Sequence, residues 1–276
     1  MFSSRTVAPL LRLSNLKSTR NAATIRSQKE LSKQLAVQCK DLPTKYEFRT
    51  TSQSDVPALM DIVRDYITDS PLCMSLRVSP DSVESLFKYR LQRSISCAES
   101  SHLPIIVLEK KTGKLVAFRS GYATFRDEDK NSRFVKMPRL NETEKAVWRP
   151  EQCLENMFWN IFPNEEAYIK CDMLYVRKEV GGTGLGEVLF GYGLDWKRLE
   201  KVGPIYRLVL ISSSPQTKKL AKRHGLSPVM NGSSAISNEN GKMVPLVHGS
   251  LSLMTLNFRM TSCLDVCSQW KKMGLV

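Results

Sequence analysis

Six consecutive residues, Gly181-Gly182-Thr183-Gly184-Leu185-Gly186, restrict what this chain can become more than any other part of it. They follow an apolar run from about Ala167 to Val176 that reads as a strand. They precede the stretch Glu187 to Lys201, where Val188, Leu189, Tyr192, Leu194 and Leu199 fall at helical spacing. A strand that turns into a helix through four glycines leaves successive backbone N–H groups free to converge on an anion at the helix start. Phosphate is the natural ligand. A tight turn that binds nothing is the alternative that a glycine cluster alone leaves open.

Spacing narrows the phosphate reading. A dinucleotide fingerprint needs G-x-G-x-x-G, yet its third glycine would fall on Glu187 in one register and on Leu189 in the other. A P-loop needs Gly-Lys followed by Ser or Thr, and no glycine here has that sequel. What remains is G-x-G followed by an aliphatic residue and glycine, after a strand ending in Leu174-Tyr175-Val176.

The surrounding chain reads as α/β. Tyr46 to Arg49 is a short strand, Ser54 and Pro57 open a helix carrying Leu59, Ile62, Val63 and Tyr66, and a second helix begins near Ser79-Pro80-Asp81. Ile105 to Glu109 and Leu115 to Phe118 form a hairpin around Gly113. Residues 126–150 are charged and read as an insertion or long loop. After the glycine turn, Tyr206 to Ile211 is a strand, and a helix capped by Ser213 or Ser214 ends at His224-Gly225. A turn at Asn238 to Lys242 precedes a last strand around Leu251 to Phe258.

With 276 residues the chain can bury a working core as one domain with a tail. No apolar run reaches the roughly 18 to 20 residues of a membrane-spanning helix. Seven cysteines at irregular spacing, with no CxxC pair, form no zinc pattern and point to free buried thiols, so no metal is expected. The net charge of +14 suggests a polyanionic partner. Six of those charges, Arg5, Arg12, Lys17, Arg20, Arg26 and Lys29, lie ahead of the first acid, Glu30, which weakens the case for nucleic acid. That leader, residues 1–30, is also serine- and leucine-rich, as in a mitochondrial transit peptide, and a mitochondrial matrix location is expected. A cytoplasmic protein with a basic tail is the alternative. Residues 31–44 are expected as a linker, 45–260 as the folded domain and 261–276 as a C-terminal tail.

The stretch Leu174-Tyr175-Val176, four further residues, then Gly181 to Gly186 and Glu187-Val188-Leu189 resembles the coenzyme A motif of the GNAT acyltransferases. The helix Ser214 to Leu226, ending in His224-Gly225-Leu226, resembles that family's next helix. Asp69-Ser70-Pro71-Leu72 and Asn240-Gly241-Lys242 are similar to segments of the invertebrate arylalkylamine N-acetyltransferase branch. The resemblance implies a mixed, mostly antiparallel sheet flanked by helices, with central strands that splay apart. It implies acetyl-CoA as co-substrate, a small primary amine as acceptor, and direct attack in a ternary complex. Leu174, Tyr175 and Val176 would meet the pantetheine arm, and Gly181, Gly182, Thr183, Gly184, Leu185, Gly186 and Glu187 the pyrophosphate.

Three positions depart from the family pattern: Gly181 replaces an Arg or Gln, Ser70 replaces a glutamate base, and Ala221 replaces a tyrosine acid. Strict alternation puts Lys170, Asp172, Leu174 and Val176 on one strand face, which makes Asp172 the expected base, with Asp69 second. Ser214 is a substitute donor to the thiolate, although an N-cap serine needs no further role. The oxyanion donor is expected to be the backbone N–H of Leu174 or Tyr175. The substitutions also allow a coenzyme A-binding module with little or no turnover.

Overall fold

The computed structural model describes residues 27–97, 102–132, 135–194, 205–258 and 263–276. Most of the basic leader lies outside the described residues. Among the described residues, nine strands form two sheets: β1 Tyr46–Thr50, β2 Ile105–Glu109, β3 Leu115–Phe125, β4 Ala167–Val176, β5 Arg207–Ser212, β6 Ser227–Asn231, β7 Ala235–Ser237, β8 Met243–Pro245 and β9 Ser252–Asn257. The larger sheet has seven strands in the order β1-β2-β3-β4-β5-β9-β6, and β7 pairs with β8 as a separate hairpin. All neighbours in the large sheet are antiparallel except β4 and β5. This parallel pair joins the two halves through three residue pairs, Ile169 with Leu208, Lys170 with Val209 and Cys171 with Leu210, and then ends. β4 runs on to Val176 with no partner on that side. The sheet is open there.

Helices cover both faces. The described helices are α1 (27–38), α2 Leu42–Lys45, α3 Val56–Asp69, α4 Pro71–Leu76, α5 Glu84–Ser96, α6 Glu128–Ser132, α7 Glu142–Ile161, α8 Leu185–Gly191, α9 Pro215–Arg223 and α10 Val266–Lys272. On one face Leu59, Ile62 and Val63 of α3, Leu86 and Phe87 of α5, and Leu154 and Phe158 of α7 pack on Ile106, Phe118, Tyr168 and Val209. On the other, Leu185, Val188 and Leu189 of α8 and Trp270 of α10 pack on Val107 and Ala117, while Phe190 and Ala221 pack on Ile169 and Leu208. Burying both faces explains why β4 carries apolar residues on both of its sides, interrupted by Lys170 and Asp172.

Three segments differ from the sequence reading. Residues 142–150, assigned to the insertion, open the 20-residue helix α7. Asn141 accepts from Glu144 N at 2.8 Å and Glu144 accepts from Asn141 N at 2.9 Å, a reciprocal cap that starts the helix despite the charged sequence around it. The expected linker is also structured: Leu35, Ala36, Cys39 and Leu42 are buried. So is the expected tail, because the Trp270 indole N–H donates to the Ala36 carbonyl at 3.0 Å and Asp265 N to Ser32 Oγ at 3.1 Å. The two chain ends clasp each other behind α8. Apolar side chains at both ends find their partner only in the folded chain, so neither segment shows a pattern of its own.

Candidate functional site

The site is built on an irregularity in β4. Its pairing with β3 shifts between Ser120 and Gly121, so that Met173 faces Ser120, Cys171 faces Gly121, and Asp172 is the extra residue of a bulge. The bulge is held from both sides: Met173 N donates to Ser120 Oγ at 3.1 Å, and Ser94 Oγ donates to the Gly121 carbonyl at 2.8 Å. Gly121 is required there, since a Cβ would lie 2.8 Å from the Lys170 carbonyl oxygen. A one-residue bulge reverses the side-chain alternation beyond it. Lys170, Asp172, Met173 and Tyr175 therefore turn to the face covered by α5 and α7, whereas Leu174 and Val176 pack with the helices of the opposite face. The expectation that Asp172 shares a face with Leu174 and Val176 is corrected by this bulge.

The same strand presents its main chain to the open gap. Arg177 N donates to the Val116 carbonyl at 2.9 Å, which makes 177 and 116 a bonded antiparallel pair. By alternation Tyr175 is bonded to Phe118, and the N–H and C=O of Leu174 and Val176 point away from β3. β5 has already diverged at that level. Of the two amides considered as oxyanion donors, only that of Leu174 points into the gap.

The glycine turn lies just beyond. A short 3₁₀ turn, Lys178–Val180, leads into Gly182 (φ +75°) and Gly184 (φ +84°), both in the left-handed region that glycine favours. Gly184 is doubly constrained, for a Cβ would lie 2.5 Å from Cys39 Sγ. The first intrahelical bond of α8 runs from Val188 N to the Gly184 carbonyl at 3.2 Å, which leaves the N–H groups of Gly186 and Glu187 without intrahelical acceptors.

A cavity of about 460 Å³ fills the gap between the diverging strands. Leu174, Tyr175, Val176 and Gly186 line it from the β4 side, and Ser212, Ser213, Ser214, Gln216, Thr217 and Leu220 line it from β5 and α9. Its third wall is Tyr66, Asp69, Ser70, Pro71, Leu72 and Met74, the end of α3 and the start of α4, with Glu151 and Asp172 at the back. Gly181, Gly182, Thr183, Gly184, Leu185 and Glu187 are not part of the lining. Through Gly186 the turn borders the cavity at one end.

The candidate acid–base groups differ sharply in environment. The Asp172 carboxylate is fully buried, with Oδ2 accepting from Arg90 Nε at 2.9 Å and Oδ1 from Arg90 Nη2 at 2.7 Å and Lys170 Nζ at 3.0 Å. Burial alone would raise its pKa, but the charges of Arg90 and Lys170 reverse this and hold it well below the usual carboxylate range. Arg90 also reaches Glu151 at 3.1 Å, and Lys170 bonds Glu155, so the cluster is a closed ionic network. Asp69 is more open, its side chain 27% exposed. Its Oδ2 accepts from the Tyr175 hydroxyl at 2.8 Å and its Oδ1 from Lys178 Nζ at 2.7 Å. Burial pulls its pKa up, yet these two bonds prevail and the carboxyl lies below its ordinary value. The Tyr175 phenol is pushed up by burial and by Asp69, and stays protonated.

Ser214 caps α9, its Oγ accepting from Thr217 N at 3.3 Å, while it lines the cavity as well. Ser70 lines the cavity without supplying a carboxylate. Ala221 is fully buried in the core. Asp172, Asp69 and Ser214 thus border one space, the first of them locked in salt bridges. Among the described residues no group of three or more His, Cys, Asp and Glu could hold a metal ion. Sequence reasoning missed Arg90 and Glu151; a charged residue among the apolar positions of α5 was the available signal for Arg90.

The overall fold matches solved structures. Arylalkylamine N-acetyltransferase 2 from Aedes aegypti superposes with a TM-score of 0.55 at 15% identity, over 77% of this chain and 99% of that one. The chain has the fold of the GNAT N-acetyltransferases. Within that fold it resembles the invertebrate arylalkylamine branch. The Drosophila melanogaster polyamine N-acetyltransferase that forms N-acetylagmatine matches with a TM-score of 0.55 at 15% identity, over 77% of this chain and 99% of that one. A mosquito arylalkylamine N-acetyltransferase like 5b matches with a TM-score of 0.51 at 12% identity, over 77% and 99%. No family model matches the sequence, and no curated protein matches it. The expected mixed sheet with splayed central strands is the GNAT sheet observed here.

Proposed function

We propose that the protein is an acyl-CoA-dependent N-acyltransferase that moves an acetyl group from acetyl-CoA to a small primary amine. One observation carries the reading: the cavity at the divergence of β4 and β5 meets the free main-chain groups of Leu174 and Val176 on one side and the glycine turn at its end. An amide-bearing pantetheine arm pairs with those main-chain groups, and the amides of Gly182 to Glu187 receive the pyrophosphate. The Leu174 N–H stabilises the oxyanion of the tetrahedral intermediate.

Asp69, partly open to the cavity, receives the ammonium group of the acceptor and is better placed than Asp172 to take its proton. Asp172 holds Arg90 and the β4 bulge in place, a positioning role. The Ser214 hydroxyl lines the cavity at the start of α9 and donates a hydrogen bond to the departing thiolate, which takes its proton from solvent. The run of basic charges ahead of the first acid also supports a leader that directs the protein to the mitochondrial matrix; comparing the tagged full chain with a chain lacking residues 1–30 tests this, and cytosolic fluorescence from both would end it.

The test of the main reading is free-thiol release from acetyl-CoA in the presence of aryl amines, diamines and polyamines. Turnover with any of them, lost in Asp69→Asn while coenzyme A still raises the melting temperature, supports the assignment. A second reading, a coenzyme A-binding module with little turnover, is favoured by the salt-bridged state of Asp172 and by Ala221 in the core. A thermal shift with coenzyme A and no thiol release selects it. Absence of any shift sinks both.

A further inference from the structure

Gly181 supplies no side chain to the proposed pyrophosphate site, and the structure brings a cation beside the turn from another element. On α9, Gln216 and Leu220 line the cavity, and Arg223, three residues beyond Leu220, continues the same helical stripe toward α8. Its guanidinium bonds Glu187, the residue that follows the glycine turn. The Arg223 side chain is 52% exposed and that of Glu187 is 15% exposed. The charge of Lys219, one turn earlier, also acts on Glu187.

Glu187 has an unused second partner. His224 is fully buried, and burial lowers its pKa to about 3, so the ring is neutral. Nδ1 accepts from Leu264 N at 3.3 Å, which puts the ring proton on Nε2. That Nε2–H lies against Glu187, whose main chain acts on the ring, while Oε2 of Glu187 is 3.8 Å away and the two side-chain atoms, both buried, do not complete a hydrogen bond with each other. Buried polar groups without partners are uncommon, and a facing pair of them marks an arrangement that a small movement would satisfy.

We propose that Arg223 is a phosphate-anchoring residue of the coenzyme A site, parked on Glu187 in the free protein, and that His224 takes over Glu187 when Arg223 turns to the ligand. The inference rests on the coenzyme A reading above. Arg223 leaves one oxyanion for another, and the Glu187 carboxylate swings onto the waiting Nε2–H rather than remaining uncompensated beside a phosphate. Glu187 is then an internal competitor for Arg223.

A double-mutant cycle by calorimetric titration with coenzyme A tests this, with each variant first checked for an intact melting transition. Arg223→Ala is expected to weaken binding by about tenfold or more, the scale of a charge-assisted bond. Glu187→Gln is expected to tighten it, and Arg223→Ala in the Glu187→Gln background should lose at least the same factor. If Arg223 only neutralises Glu187, its removal costs nothing in that background, and the proposal falls. No effect of Arg223→Ala in the parent protein overturns it as well. His224→Phe should weaken binding in the parent and leave Glu187→Gln unaffected; equal losses in both refute the exchange. Repeating the titrations with 3′-dephospho-coenzyme A assigns the phosphate: a factor that vanishes places Arg223 on the 3′-phosphate, one that persists on the pyrophosphate. Failure of the unsubstituted protein to bind coenzyme A at all would refute the underlying reading instead.

Discussion

Replacing Arg90 by methionine should expose how much of this fold depends on one charge. Arg90 and Lys170 are the cations that touch Glu151, Glu155 and Asp172 in the buried network, with Arg90 at 2.7 Å from Asp172 and 3.1 Å from Glu151. In Arg90→Met, Lys170 alone faces three carboxylates. Removing one partner of a buried pair costs about 3 to 5 kcal/mol. For a chain of this size that corresponds to a fall in Tm of roughly 6 to 20 °C.

The pH dependence follows from the lowered pKa of Asp172. A carboxyl depressed in the folded state adds stability that is complete above its unfolded value of about 3.9, and that is lost as pH falls toward the folded value. The gap between parent and variant should therefore be widest near neutrality and should narrow below about pH 4. Urea melts followed by circular dichroism, run in steps from pH 7 to pH 3, measure it. A variant within about 0.5 kcal/mol of the parent at pH 7 would refute the account, because ordinary surface substitutions fall in that range. A gap that did not change with pH would refute it too.

Gly184→Ala combines a left-handed backbone with a collision against Cys39, so it should cost more than the roughly 1 to 2 kcal/mol of the backbone term alone and reduce the thermal shift produced by coenzyme A. Trp270→Ala should destabilise the fold by about 3 to 5 kcal/mol in a denaturant melt, even though it sits six residues before Val276, because it closes the clasp on Ala36. Among the free cysteines Cys153 is the exposed one, and burial pushes the thiols of Cys73 and Cys171 up to about 11 and that of Cys263 to about 12. Native maleimide labelling should accordingly show one fast thiol, absent from Cys153→Ser.

The boundaries of β4 and the glycine turn were legible because each is a local signal: an apolar run long enough for a strand and a cluster of residues with no Cβ. The face on which Asp172 stands was not, since a bulge is imposed by the partner strand, through Ser120, Gly121 and Ser94, and leaves no period in the sequence of β4 itself. The start of α7 was readable in principle from Asn141 and Glu144, but Pro150 and the charges around it obscured the pattern. Arg90 could be seen as a charge on an apolar helix face, although its partners lie 61 and 82 residues away. The burial of α1 and α10 depends on a contact between chain ends more than 230 residues apart.

The three-pair junction of β4 and β5 has a further consequence. Beyond Cys171 and Leu210 the β4–β5 pairing ends, and under the proposed function an extended amide-bearing ligand entering there would act as the missing strand. Recognition of that kind is read by peptide groups, which every residue carries, so substitution at Leu174 to Val176 can alter packing while the donors and acceptors stay the same. A site of this construction can keep its ligand while its sequence drifts, and what must be retained is the bulge that aims the main chain and the glycines that let the chain turn.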